Sequence, residues 1–374
     1  MNGNLRIGSL FGIPFYVNFS WFLILALITW NYGQQLGAEF PYLGGGAWLL
    51  GLVTALLLFA SVLAHELGHS LVALRQGIPV NSITLFIFGG LASLGEESKT
   101  PVEAFWVAIA GPLVSLVLFG LLTVINTSVS LSAPLAAVVG SLALINLVLA
   151  LFNLLPGLPL DGGNVLKALV WKITGKPYKG IAFASRAGQF LGWVGISLGL
   201  LNLLGISNVG SIWTLLIGWF LLQNAGRYAQ AASVQEQLSG LTAADAVVSN
   251  SPIVAAESSL REFANNHIIG NPTSWQKYFV VDQDGQWIGE ISVNAMKAIP
   301  TNDWWNVSVR ELMQPKGQVE TVISNQPLLD VVTLLEQKKL PELIVLQENG
   351  RLVGLLERAS IMQLLQRRAE AKTA

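Results

Sequence analysis

Over the first 228 residues, apolar positions run in long unbroken stretches rather than alternating with polar ones. A bilayer-spanning helix needs about 20 mainly apolar residues. Six stretches qualify, at roughly 14–32, 47–75, 104–126, 134–155, 183–204 and 208–227. The second is over-long, so its polar end is expected to reach the surface or line a cavity. Segment 80–96, VNSITLFIFGGLASLGE, breaks the pattern. Its β-branched and aromatic residues come in short runs interrupted at Gly89–Gly90, which predicts a small β-hairpin at the cytoplasmic face. Extended backbone at membrane depth is tolerated only where protein covers it. From about Ala229 onward, charges and amides recur and apolar runs shrink to strand length. The expectation is a polytopic α-helical membrane domain over 1–228, a linker over 229–239 around AQAASVQEQLSG, and a soluble α/β domain over 240–374.

Composition strengthens the membrane reading. The chain is 52% hydrophobic and only 11% charged, against about 25% charged in soluble proteins. A net charge of −1 argues against nucleic acid as a partner. With no cysteine, disulfides, thiolate metal sites and cysteine nucleophiles are excluded. MNGNLRIGSLFGIPF lacks the charged and apolar regions of a cleaved signal peptide. Lysine and arginine set the orientation. Arg6, Arg75, Lys99, Lys167, Lys172, Lys176, Lys179 and Arg227 fall in alternate loops, whereas loops 32–46, 127–133 and 205–207 hold none. Six spans with both termini cytoplasmic put every basic loop on one side.

Against this apolar background, LFASVLAHELGHSLVALRQG (58–77) holds two of the chain's three histidines and a glutamate. Charged groups at mid-span cost at least about 2.5–3.5 kcal/mol each and default to functional sites. His65 and His69 are four apart, so they share a helix face and can offer two imidazoles to one metal, with Glu66 beside them as a base. The plainer alternative is a hydrogen-bonded polar cluster joining helices. A catalytic zinc usually takes three protein ligands, and the only other histidine, His267, lies in the soluble part. The candidate third ligand is Asp161 in FNLLPGLPLDGGNVLKAL (152–169). Pro156 and Pro159 break the helix before it, and Gly162–Gly163 permit close backbone approach. Alternatively, Asp161 serves only as the N-cap of a helix at 163–173. Small residues in AIAGPLVS (108–115) and GWVGISLG (192–199) suit either close helix packing or a substrate gate.

HELGH in the second stretch together with NLLPGLPLDGG after the fourth resembles the site-2 protease family of intramembrane zinc metalloproteases, over roughly residues 8–228. The resemblance implies one Zn²⁺ per chain held by His65, His69 and Asp161, with Glu66 as catalytic base. It implies that Asn153 polarises the scissile carbonyl or orients the site. FGG at 88–90 resembles the family's Gly-Gly hairpin, which implies that Gly89 and Gly90 bind substrate as an added strand. The implied partner is a membrane-embedded protein, cut within a membrane-spanning segment near the cytoplasmic face.

The C-terminal part repeats. YFVVDQDGQWIGEISVNAM (278–296) matches LIVLQENGRLVGLLERASIM (343–362), pairing Val280 with Val345, Gly285 with Gly350 and Gly289 with Gly354. Upstream, SLREFAN (259–265) matches PLLDVVT (327–333), with extra residues in the first copy near GNPTSW. Each unit, about 240–300 and 306–366, reads strand, helix, strand, turn, strand, helix, and paired units bury a shared core. This resembles a tandem pair of CBS motifs, named after cystathionine β-synthase. The resemblance implies an adenine nucleotide between the sheets and regulation of the attached domain. The family's ribose-binding aspartate is replaced by Ala295 and Ser360, which favours a dimerisation or gating module that binds no nucleotide. His267 reads as a surface or satisfied polar residue. Trp304–Trp305 suit the membrane surface, the first domain or ordinary core. Competing functions are a CBS-regulated transporter or metal carrier using the same His/Asp cluster, and a catalytically inert membrane adaptor. The expected location is a prokaryotic inner membrane, or a thylakoid or other organellar membrane.

Overall fold

The computed structural model describes residues 4–86, 89–269, 275–317 and 319–373. The chain divides into two compact units, Met1–Ser233 and Val234–Ala374.

The first unit opens with two strands, β1 (Asn4–Leu10) and β2 (Ile13–Asn18), before helix α1 (Phe19–Glu39). This corrects the expected span at 14–32. PFYV is as apolar as the helix that follows, but it is aromatic and β-branched, and it pairs with β1. Asn18 then caps α1 by accepting a hydrogen bond from the Ser20 N–H, so the helix starts at Phe19. Helix α2 (Gly46–Arg75) leads into β3 (Val80–Phe86) and β4 (Gly89–Leu94), the hairpin expected from the sequence. The sheet order is β1-β2-β3-β4, with β2 and β3 parallel and the other pairs antiparallel. Among the described residues, β4 is therefore an edge strand.

Helices α3 (Pro101–Ser128), α4 (Ala133–Asn153), α5 (Asp161–Thr174), α6 (Pro177–Leu203) and α7 (Ile212–Leu238) follow. Helices form at all six stretches. Among the described residues, α2, α3 and α4 are long and apolar enough to cross a membrane. In α1, α6 and α7 the apolar runs are diluted by residues such as Asn31, Gln34, Arg186, Gln189, Gln223 and Asn224. The expected linker 229–239 is mostly the end of α7, because Ala, Gln and Glu sustain a helix. Gly192, Gly195 and Gly199 of α6 lie against Leu215, Gly218 and Leu222 of α7, so GWVGISLG packs two helices closely.

The second unit holds the two copies. The first comprises β5 (Ile253–Ala255), the short helix α8 (Leu260–Phe263), β6 (Lys277–Val281) and β7 (Trp287–Ser292). A 3₁₀ turn at Val293–Ala298 takes the place of the expected closing helix. After α9 (Val309–Leu312) and β8 (Gln314–Pro315), the second copy comprises β9 (Thr321–Ile323), α10 (Leu328–Gln337), β10 (Glu342–Leu346), β11 (Leu352–Glu357) and α11 (Arg358–Thr373). The sheets are ordered β5-β6-β7-β8 and β11-β10-β9. The repeat survives in the register: Val280 pairs with Gly289 and Val345 with Gly354, and each ladder shifts immediately afterwards. Gly285 and Gly350 both take positive φ in their turns, a conformation glycine adopts without strain. The extra residues of the first copy, 270–274, lie outside the described residues.

The copies interlock. Leu238, Leu241, Ala243 and Ala246, which precede β5, lie in the core of the second copy with Val322, Leu328 and Leu343. Val309, which precedes β9, lies in the core of the first copy with Phe263 and Tyr278. Trp287, Ile344 and Leu352 form a third cluster between the sheets. The His267 ring packs at an angle against those of Phe263 and Tyr278, and its carbonyl accepts from the Tyr278 hydroxyl. Trp304 packs on the first copy's core, whereas Trp305 is exposed.

Candidate metal centre

Two elements deliver the ligands. On α2, His65 and His69 are both buried. Asp161 is the first residue of α5; Leu160 holds the cap position and makes no side-chain cap bond. The N-cap alternative for Asp161 is thereby overturned, and its carboxylate instead points at the imidazoles. The helix can start there because Gly162 and Gly163 lie directly against the Leu154, Gly157 and Leu158 backbone, where a Cβ would collide.

The Nε2 atoms of His65 and His69 are 3.3 Å apart. Asp161 Oδ2 is 3.1 Å from the first and 3.4 Å from the second. A tetrahedral zinc site with bonds of about 2.0–2.1 Å has ligand–ligand edges of roughly 3.3 Å. The donor chemistry fits as well. His69 Nδ1 donates to the Val107 carbonyl at 2.6 Å, which leaves the lone pair on Nε2 in the neutral ring. His65 Nδ1 is 2.9 Å from Ser115 Oγ, and Ser115 is fully buried. Two imidazole acceptors facing each other beside a carboxylate form a set that a cation satisfies and that hydrogen bonds among the three do not. Among the described residues, these three could hold a metal ion.

Helix α3 supplies what the sequence reading missed. Val107, Gly111 and Ser115 are spaced at i, i+4 and i+8, so they lie on one helix face. Gly111 sits against both imidazoles: a Cβ there would be 2.7 Å from His65 Nε2 and closer still to His69 Nε2. The available signal was a serine on the same face as a glycine in AIAGPLVS, but both also read as packing residues.

Glu66 points elsewhere, toward the sheet. A Cβ on Gly90 would be 2.9 Å from Glu66 Cδ, so only glycine lets β4 come this close. Gly89 has φ 132°. Phe88 of the FGG motif lies outside the described residues. Asn153 ends α4 and is half-buried. Among the described residues, its side chain makes no hydrogen bond with His65, His69 or Asp161. Beyond β4, Glu97 pairs with Lys167 of α5 at 3.5 Å.

Known proteins resemble this chain in sequence. The family model for peptidase family M50 matches residues 53–133 and 119–188, and the CBS domain model matches 309–367. A protein of Synechocystis sp. named as a zinc metalloprotease is 60% identical over 367 residues, 98% of this chain and 96% of that one. Rip3 of Mycobacterium tuberculosis, named likewise, is 33% identical over 98% of this chain and 93% of its own length. The solved site-2 protease from Methanocaldococcus jannaschii is 29% identical and covers 60% of this chain and 95% of that one, with a TM-score of 0.44. With such similarity to the Synechocystis protein over almost the full length of both chains, and with the family's model covering the segment that holds the two histidines and the aspartate, this chain belongs to peptidase family M50, the site-2 proteases, and carries a C-terminal CBS domain.

Proposed function

We propose that the chain is a zinc-dependent intramembrane endopeptidase that hydrolyses peptide bonds in the membrane-spanning segments of other proteins. The carrying observation is the convergence of His65, His69 and Asp161 at tetrahedral-edge spacings, with Glu66 beside them against the sheet edge. Zinc held by these three residues supplies the Lewis acidity that makes water nucleophilic near neutral pH. The Val107 carbonyl and Ser115 Oγ hold the imidazoles in orientation. A Glu66 carboxylate oxygen accepts the proton of the attacking water and returns it to the leaving amine nitrogen. The Asn153 amide donates to the carbonyl oxygen as it gains charge. A helix hides its carbonyls, so the substrate unwinds and lies along β4 at Gly89–Gly90, held by main-chain hydrogen bonds.

The membrane domain crosses the bilayer six times as a multi-pass protein. Both termini and the CBS pair face the cytoplasm of a prokaryotic cell, or the equivalent side of a thylakoid-type or other organellar membrane. The CBS pair acts as a regulatory or dimerisation module. Ala295 and Ser360 at the ribose positions favour a role without adenine nucleotide. A transporter or metal carrier has no use for Glu66 against β4.

The test compares the wild type with Glu66→Gln for bound zinc and for cleavage of membrane-segment substrates. Equal metal with activity lost only in the variant is expected. Equal activity in the two proteins overturns the proposal.

A further inference from the structure

We propose that a groove between α1 and α2 holds one membrane lipid by an acyl chain and an ester carbonyl, with the Thr29 hydroxyl as the donor that fixes it. The inference rests on the chain lying in a bilayer and is independent of the protease chemistry.

The groove has a volume of about 520 Å³ and is lined by Phe22, Ala26 and Trp30 of α1 and by Trp48 and Leu52 of α2. Beside it the two backbones come close. A Cβ on Gly33 would be 2.6 Å from the Trp48 ring, and one on Gly51 would be 2.8 Å from the Thr29 carbonyl oxygen. The helices thus meet at their glycines, and the larger side chains splay around an opening. Trp30 and Trp48 meet there with ring centroids 5.2 Å apart and remain 62% and 41% exposed. Trp48 is near the start of α2, roughly 25 Å from His65 by the rise of the helix. The groove therefore opens near the end of α2 remote from the histidines, at a level where indole rings favour the membrane interface.

Thr29 also lines the groove and brings its only hydroxyl. A hydroxyl inside a helix can return its hydrogen to the carbonyl four residues earlier, as Thr54, Ser61, Thr123 and Ser185 do in this chain. Thr29 Oγ1 does not: it is buried and has no hydrogen-bond partner. A buried polar group left unpaired is costly, so the occupant of the groove must bring an acceptor. The backbone of another helix cannot, because its carbonyls are already bonded along its own axis. A water molecule needs about two to four polar partners, and the other lining residues are apolar or aromatic. A diacyl lipid meets both demands. Its chain covers the apolar walls, and its ester carbonyl lies where hydrocarbon gives way to headgroup. Segment 32–46, at this end of both helices, holds no lysine or arginine, so the site reads ester and chain rather than an anionic headgroup.

The test titrates the full-length protein in detergent with dioleoyl phosphatidylcholine and with its diether analogue, which keeps the headgroup and chains but lacks the carbonyls. Bound lipid is counted by native mass spectrometry. One diester lipid per chain should bind about three- to tenfold more tightly than the diether, as expected for one hydrogen bond. Thr29→Val keeps the shape and loses the hydroxyl, and should erase that difference. Ala26→Phe, at an exposed position of α1, fills the groove and should remove the tightly held lipid altogether. Equal affinity of the wild type for the two lipids overturns the proposal, and so does a Thr29→Val protein that keeps the preference or an Ala26→Phe protein that keeps the lipid. A photo-crosslinking residue at Phe22, in native membranes, should capture lipid. Capture of another protein at that position overturns the proposal, because a partner helix then occupies the groove. If the wild type cleaves no membrane-segment substrate, the protease reading fails by itself, and the lipid titration still decides this one.

Discussion

Ser115 governs which nitrogen of His65 faces Asp161. For Nε2 to keep its lone pair, Nδ1 must carry the hydrogen and the serine must accept it, a role the 2.9 Å spacing allows. Partners of this kind orient a ligating ring, and losing one typically costs 10–100-fold in metal affinity. Ser115→Ala should therefore weaken zinc binding by about that factor, measured by competition with a chromogenic chelator, with secondary structure unchanged. At this scale, part of the site was plain from the sequence. His65, Glu66 and His69 stand out because apolar spanning stretches rarely carry such groups, and Asp161 stands out through its Pro- and Gly-flanked motif. Gly111, Ser115 and the Val107 carbonyl did not, since small residues in a spanning helix serve close packing just as well, and a carbonyl's use leaves no trace in residue identity.

Elements were legible where pattern and environment agreed. α2, α3 and α4 begin and end within a few residues of expectation, and α3 opens with a capping box between Thr100 and Glu103. β1 and β2 were hidden because apolar residues next to an apolar helix look like its continuation. The repeated strands were legible through their turn glycines, and equivalent positions then diverged in charge. In the first copy the end of the strand pair sets Lys277 against Ser292; in the second it sets Glu342 against Glu357. Partial burial, with the like charge of Glu357 adding to it, pushes the Glu342 carboxyl above its ordinary value. The folded state thus binds this proton more tightly than the unfolded chain. Its contribution is full below the ordinary carboxylate pKa and is lost as pH rises through the raised one. Glu342→Gln should stabilise the second unit at neutral pH by a few tenths of a kcal/mol, given how exposed the pair is. The gain should vanish in acid, as read from denaturant midpoints at the two pH values.

Across the whole molecule, a unit carrying the candidate metal centre is followed in sequence by a two-copy unit whose cores borrow from each other. The crossed packing was outside the reach of the repeat alignment. Similarity between copies defines equivalent positions but is silent on which copy a flanking segment joins. Leu241 lies ahead of β5 of the first copy, yet its carbonyl accepts from the Leu328 N–H at 2.9 Å, and its side chain is buried with the second copy. Leu241→Ala should cost about 2–5 kcal/mol and lower the stability of both copies together, seen as one shifted transition by probes placed in each.

The mutual borrowing also decides what duplication can produce later. Because residues ahead of the first strand of one copy finish the interior of the other, neither can be deleted, transplanted or inverted without leaving a hydrophobic breach in its sibling. The linking bonds at the hairpin tips, Gln286 to the Asn349 carbonyl and the Leu352 N–H to the Gly285 carbonyl, add a second tether between them. Evolution can therefore retune the pair's individual surfaces, but it must inherit or lose the two as one indivisible part.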